Sequence, residues 1–164
     1  MAQLSPASRY LRFLHALRSL PQPLMDALLR FEPQVRATLL AFRMGATREL
    51  IGLAQYESSA RTGECEVAVV VADAWQRQGI ASRMLRELAG VARSGGFNVA
   101  CAEILSDNHA AIELARRHRC AITLIPGSPQ MTRVWVALDA VTHGAAAGLS
   151  RPGRAGAPPA SGGW

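Results

Sequence analysis

Residues 71–82 read Val-Ala-Asp-Ala-Trp-Gln-Arg-Gln-Gly-Ile-Ala-Ser, where an apolar run gives way to a turn and the turn to a helical pattern. The first amide N–H groups of a helix have no partner inside it, and the helix dipole favours an anion beside them. Gly79 and Ala81 carry little or no side chain to keep a phosphate off the main chain. The stretch therefore has the composition of a diphosphate cradle built from backbone amides. It lacks the three glycines of the dinucleotide fingerprint, and small residues that only let the turn pack tightly would look the same.

All eighteen basic residues are arginine and none is lysine. A Walker A loop, a kinase-type lysine and Schiff-base catalysis are thereby excluded. Cys65, Cys101 and Cys120 are odd in number, far apart and free of any CxxC spacing, so they read as buried reduced thiols rather than a disulfide framework. His109 and His118 lie nine residues apart on a predicted helix, about 180° out of phase, which argues against joint metal ligation. No metal is expected. No GxSxG elbow is present, which disfavours a serine hydrolase.

The elements that must hold the cradle follow from periodicity. Prolines begin a short helix over 24–31, and 35–42 and 50–56 alternate as strands around a turn at Gly45. Residues 65–71 are nearly all β-branched or apolar, as in a central strand covered on both faces. Ile80, Met84, Leu88, Val91 and Ala92 recur at helical spacing, with arginines and Glu87 opposite, which predicts an amphipathic helix over 79–94 ended by Gly95-Gly96. A strand over 99–105 follows, then a helix capped by Asn108 and running to about His118, then strands over 121–125 and 131–138. The order is βββ-α-β-α-ββ. Its strand-helix-strand unit implies a right-handed parallel crossover within a mixed sheet, hence an α/β or α+β fold.

The segment Gln76-Arg77-Gln78-Gly79-Ile80-Ala81 matches the Q/R-x-x-G-x-G/A pyrophosphate motif and resembles the GNAT superfamily of acyl-CoA-dependent N-acyltransferases. Five further stretches are similar to the acetyltransferase domain of bacterial protein lysine acetyltransferases. They are Ser-Arg-Tyr-Leu-Arg-Phe at 8–13, Glu-Leu-Ile-Gly at 49–52, Glu-Val-Ala-Val-Val-Val at 66–71, Asp-Ala-Trp-Gln at 73–76 and Ile-Leu-Ser-Asp-Asn at 104–108. The resemblance spans about residues 5–138. It implies a mixed, mostly antiparallel twisted sheet with helices on both faces, and direct acetyl transfer from acetyl-CoA to an amine, a protein lysine being favoured. A small-molecule amine, or a regulatory domain that only senses CoA, would use the same architecture.

By the same resemblance, the pantetheine arm pairs like an added strand with Val69, Val70 and Val71 where the sheet splays before the 99–105 strand. Amides of Gln76, Arg77, Gln78, Gly79, Ile80, Ala81 and Ser82 then hold the pyrophosphate, with Arg77 or Arg83 assisting. A backbone N–H near Val69 steadies the thioester oxygen. Glu66 takes the place of the general base that an ammonium acceptor requires, its pKa raised by burial. A strand glutamate facing solvent or pairing with an arginine is the competing reading. Glu64 on the same strand face is the reserve base, and Glu103 a weaker one. Asn108 contacts cofactor or acceptor, or simply caps its helix.

Three departures stand out. Where the broad family often carries a tyrosine as general acid, seven residues after the asparagine, this chain has Ala115, and Arg119-Cys120 replaces a Gly-Phe pair. In the family a first strand and most of a helix precede the Ser-Arg-Tyr-Leu-Arg-Phe stretch, whereas seven residues do here. The edge strand is therefore expected to be missing, which leaves 35–42 open to pairing with a second copy, or points to a start codon assigned too late.

The chain has 164 residues and a net charge of +6. Residues 1–139 are expected to form one domain. In residues 140–164, Ala, Gly and Pro make up 16 of 25 positions, as in a disordered tail. Two arginines of the excess lie there, and aromatics are only 5%, so a nucleic-acid platform is disfavoured. No apolar run reaches the ~18 residues of a membrane span. The first residues lack the blocks of a secretory leader, so the expected location is the cytoplasm.

Overall fold

The computed structural model describes Ser5, Asp26 and residues 30–139. The 8–13 stretch and the 140–164 tail lie outside the described residues, as does most of the helix expected over 24–31. At the end of that predicted helix Arg30 and Phe31 are not helical, and Glu32 bridges to Arg36.

Among the described residues six strands and two helices carry the domain. Strand β1 (Arg36–Arg43) forms an antiparallel hairpin with β2 (Glu49–Ser58), as the alternation around Gly45 predicts. Strand β3 (Glu64–Val71) pairs antiparallel with β2 and leads through a single 3-10 turn at Asp73–Trp75 into helix α1 (Ile80–Ser94). Then come β4 (Val99–Leu105), α2 (His109–Arg117), β5 (Ala121–Ile125) and β6 (Ser128–Ala137). The sheet order is β1-β2-β3-β4-β6-β5, and every pairing is antiparallel except β3 with β4. Among the described residues β1 is an edge strand, paired only with β2.

The crossovers β3-α1-β4 and β4-α2-β5 step in the same direction along the sheet. Right-handed connection therefore puts both helices on one face, the face of Val67, Ala100 and Val134 that α1 and α2 flank. Any helix on the opposite face, which the expectation of two covered faces requires, lies outside the described residues. Beneath α1 the core is Ala54, Tyr56, Cys65, Met84, Leu88, Ala92, Phe97 and Leu138. The rings of Tyr56 and Phe97 meet edge to face at 5.4 Å, and the Tyr56 hydroxyl donates to the Pro33 carbonyl at 2.7 Å. The α1 terminus closes against that same carbonyl. A Cβ on Gly95 would stand 2.0 Å from the Pro33 oxygen, so only glycine fits there.

Strand β6 begins three residues before the predicted start. Pro129 supplies no N–H to a ladder and breaks the sequence pattern, but at the strand's outer end it is tolerated.

Candidate active site

Strand β3 pairs with β2 along most of its length, from Cys65 opposite Ser58 to Val71 opposite Gly52. It pairs with β4 only from Glu64 opposite Val99 to Glu66 opposite Cys101. Strand β4 instead follows β6 out to Leu105 opposite Met131. The sheet thus splits past Glu66 and Cys101, and the edge of β3 over 67–71 faces a gap. Backbone donors and acceptors on that edge are available to an extended ligand.

At the mouth of the gap the chain turns into α1. The Gln76 side-chain amide donates to the Val71 carbonyl at 3.0 Å and to Asp73 Oδ1 at 2.9 Å, locking the turn. Arg77 at φ +62° and Gly79 at φ +81° bend it through the left-handed region. Gly79 is needed for that conformation rather than for space, because a Cβ there would meet nothing within 4 Å. The first main-chain bond closing α1 runs from Arg83 N to Gly79 O at 3.0 Å, leaving the amides of Ile80, Ala81 and Ser82 in the unbonded first turn.

Val69, Val70, Val71, Gln76, Arg77, Gly79, Ile80, Ala81, Ser82 and Asn108 line one cleft of about 220 Å3. Gln78 does not; its side-chain amide donates to the Ala74 carbonyl at 3.2 Å. Arg83 does not line it either, whereas Arg117 of α2 does. Asn108 caps α2, accepting from Ala111 N at 3.1 Å, and still faces the cleft, so both of its expected roles are compatible. The two helices are joined by Ser82 Oγ and His118 Nε2 at 3.0 Å. Burial, helped by Arg86, lowers the His118 pKa below the ordinary histidine value.

The carboxylates at the floor of the split divide into two kinds. Glu64 is half-buried and accepts hydrogen bonds from Arg133 and, at 3.0 Å, from the Cys101 thiol. Arg133 also approaches Glu103 at 3.6 Å. Glu66 is exposed on β3, not buried as the sequence reading expected. Burial and the Glu64 carboxylate drive the Cys101 thiol pKa well above its usual range. Among the described residues no cluster of three or more His, Cys, Asp or Glu side chains could hold a metal, and no helix is long and apolar enough to cross a membrane.

Arg133, Glu113 and Arg117 escaped the sequence reading. For Arg133 there was a signal, a lone charge inside the apolar strand pattern of 131–138. For Glu113 the i,i+4 spacing to Arg117 was a signal, whereas Arg77 is brought to it only by the packing of α2 beside the α1 turn.

A family profile described as Acetyltransferase (GNAT) family matches residues 10–119. The chain is 32% identical over 125 residues to Acetyltransferase PA5475 of Pseudomonas aeruginosa, covering 75% of this chain and 64% of that protein. It thus spans a little under two thirds of that relative's length. The GNAT domain of S. lividans PAT superposes with a TM-score of 0.73 at 26% identity, over 82% of this chain and 79% of that one. A ribosomal-protein-alanine N-acetyltransferase from Brucella melitensis gives a TM-score of 0.50 at 25% identity, over 61% and 66%.

Proposed function

This chain belongs to the acetyltransferase (GNAT) family, and from that premise we propose that it moves an acetyl group from acetyl-CoA to an amine, with a protein lysine as the favoured acceptor. The observation that carries this reading is the split between β3 and β4 opening directly onto the unbonded amides that start α1. The free edge at Val69, Val70 and Val71 suits the amide-containing arm of the carrier, and the cradle suits its diphosphate. The carrier supplies an activated thioester. The amine nitrogen bonds to the acyl carbon, the carbon–sulfur bond breaks, and the thiolate leaves with CoA.

An amine near neutral pH is mostly ammonium, so it must first lose a proton. Of the nearby carboxylates, Glu64 is engaged by Arg133, while no side-chain partner engages exposed Glu66 among the described residues. Glu66 is therefore the base in this proposal, and Glu64 a buttress of the strand floor. An exposed base is easily reached by the side chain of another protein. The similarity to the S. lividans PAT domain supports a protein acceptor. Small-molecule amines and a purely CoA-sensing role are the competing readings. The β1 edge, which has no second partner strand among the described residues, is also a surface on which two copies of the chain would pair, and light scattering would report that as a dimer.

Calorimetry with acetyl-CoA, followed by thiol release with a lysine peptide and with small amines, tests the proposal. Heat with release on the peptide supports it. Heat without release on any amine would favour a sensor, and no heat would end the reading.

A further inference from the structure

We propose that His118 is a positioning residue for the donor, an inference that rests on the acetyltransferase reading and adds a residue to it. Through Ser82, His118 decides whether the first turn of α1 offers the diphosphate a hydroxyl proton, so donor binding is coupled to protonation of the His118 ring.

Ser82 lines the cleft, and its amide belongs to the unbonded first turn of α1. His118 stands just past the end of α2 and does not line the cleft. It acts on a ligand there only through the 3.0 Å contact between Nε2 and Ser82 Oγ. A helical serine often turns its hydroxyl onto the carbonyl four residues back, as Ser94 does onto Gly90 at 3.1 Å further along the same helix. Ser82 has His118 as its partner instead. A hydroxyl carries one proton. When Nε2 is bare, that proton goes to the ring, and only oxygen lone pairs face an arriving anion. When Nε2 carries a hydrogen, Ser82 accepts from it and keeps its own proton for a phosphate oxygen.

The tautomer of a histidine is set by the partner of its other nitrogen, and Nδ1 of His118 has no hydrogen-bond partner among the described residues. The ligand is left to choose it. Arg86 of α1 is the charge that acts on the ring, while Cys101 and Glu103 of β4 and Cys120 before β5 line the same space as the ring. Glu103 approaches Arg133, and burial keeps both thiols protonated. On its own helix, Glu113 and Arg117 pair with each other. Burial, and after it Arg86, therefore oppose the imidazolium in the free protein. A diphosphate at the start of α1 acts the other way, because it attracts the charge and selects the Nε2–H that an imidazolium always carries. Binding thus raises the pKa of the ring. The resulting gain in affinity is complete below the free-state value and is lost as the pH rises through the bound-state value.

The test is calorimetry of the full chain with acetyl-CoA from pH 5.5 to 8, in buffers of different protonation enthalpy. The donor's own phosphomonoester titrates near pH ~6. Wild type is therefore compared with His118→Gln, whose amide nitrogen still donates to Ser82 but does not titrate. Below about pH 6.5 wild type should take up more protons on binding than His118→Gln, and on acidification it should gain about threefold in affinity over that variant. Ser82→Ala should bind about tenfold more weakly and lose the excess uptake. If His118→Gln fails to fold, the His118 ring resonances of wild type, titrated with and without acetyl-CoA, take its place: a higher pKa in the complex supports the inference and an unchanged one overturns it. Equal proton uptake by wild type and His118→Gln, or undiminished binding by Ser82→Ala, also overturns it and leaves the acetyltransferase reading standing. Absence of heat with wild type overturns both.

Discussion

The Glu113 carboxylate sits between two guanidinium groups, Arg77 from the turn before α1 at 2.9 Å and Arg117 from one turn along its own helix at 2.5 Å. Those hydrogen bonds, Arg117's foremost, hold its pKa below the usual carboxylate range. The two arginines that line the cleft are thus partly neutralised by the protein itself. Glu113→Gln is expected to raise acetyl-CoA affinity roughly two- to fivefold at low salt, the gain fading at high salt. Because the depressed pKa keeps Glu113 ionised well into the acid range, the difference between the two proteins should stay level from about pH 5 to 8. Calorimetry across salt and pH reads both; equal affinities at low salt would show that the clamp does not compete with the ligand.

Glu66→Gln should lower kcat by about 10²-fold or more while acetyl-CoA affinity stays the same, since the side chain lies on β3 outside the cleft lining. Thiol release at saturating acceptor measures the first and calorimetry the second. Normal turnover would move the role of base to another group.

Arg133→Ala leaves Glu64, in a partly buried setting, with only the more distant Arg61 at 3.9 Å as a cationic partner. The expected loss is about 1–3 kcal/mol in urea unfolding. A double variant with Glu64→Gln should recover part of that loss, because the stranded charge is then gone.

Two glycines should differ in kind. Gly79→Ala strains a left-handed residue in open space, at about 1 kcal/mol, and shifts the cradle amides, so acetyl-CoA affinity should fall more than stability. Gly95→Ala drives a Cβ into the Pro33 carbonyl, so stability should fall by about 3 kcal/mol or more. Melting temperature and acetyl-CoA affinity, measured on both variants, separate the two effects.

His118 has its folded-state pKa lowered, so the unfolded chain binds a proton first as the solution is acidified. The stability contribution of neutral His118 is complete above the ordinary histidine value near ~6.5 and declines as the pH falls from there toward the folded value. Melting temperatures should drop over that window, and His118→Asn should flatten the slope. Identical pH profiles would show that other groups govern it.

The cysteines should be silent in a thiol-release assay. Burial raises Cys65 to about 12 and Cys120 to about 11, and it raises Cys101 further, aided by Glu64. At pH 8 little thiolate is available, so a disulfide reagent should titrate none of the three until denaturant is added.

Local order was legible from the chain alone wherever neighbours a few residues apart decide conformation. The strands Val99–Leu105 and Ala121–Ile125 have the bounds that periodicity predicts, and Asn108 caps its helix. The passage from β3 into α1 was legible for the same reason, being one strand end, one turn and one helix start in continuous sequence. Burial of Glu66 was misjudged because alternation shows which residues share a face, not whether anything covers that face.

By itself, then, the sequence determined the elements, their order and the turn that leads into α1, since each depends on torsions and apolar spacing within a dozen residues. Only the tertiary structure decided where β3 and β4 part, that Glu113 clamps Arg77 from 36 residues away, and that Arg133 reaches Glu64 across 69. Each of these requires groups remote in the chain to meet. Their encounter depends on strand register and helix packing, which no local propensity encodes.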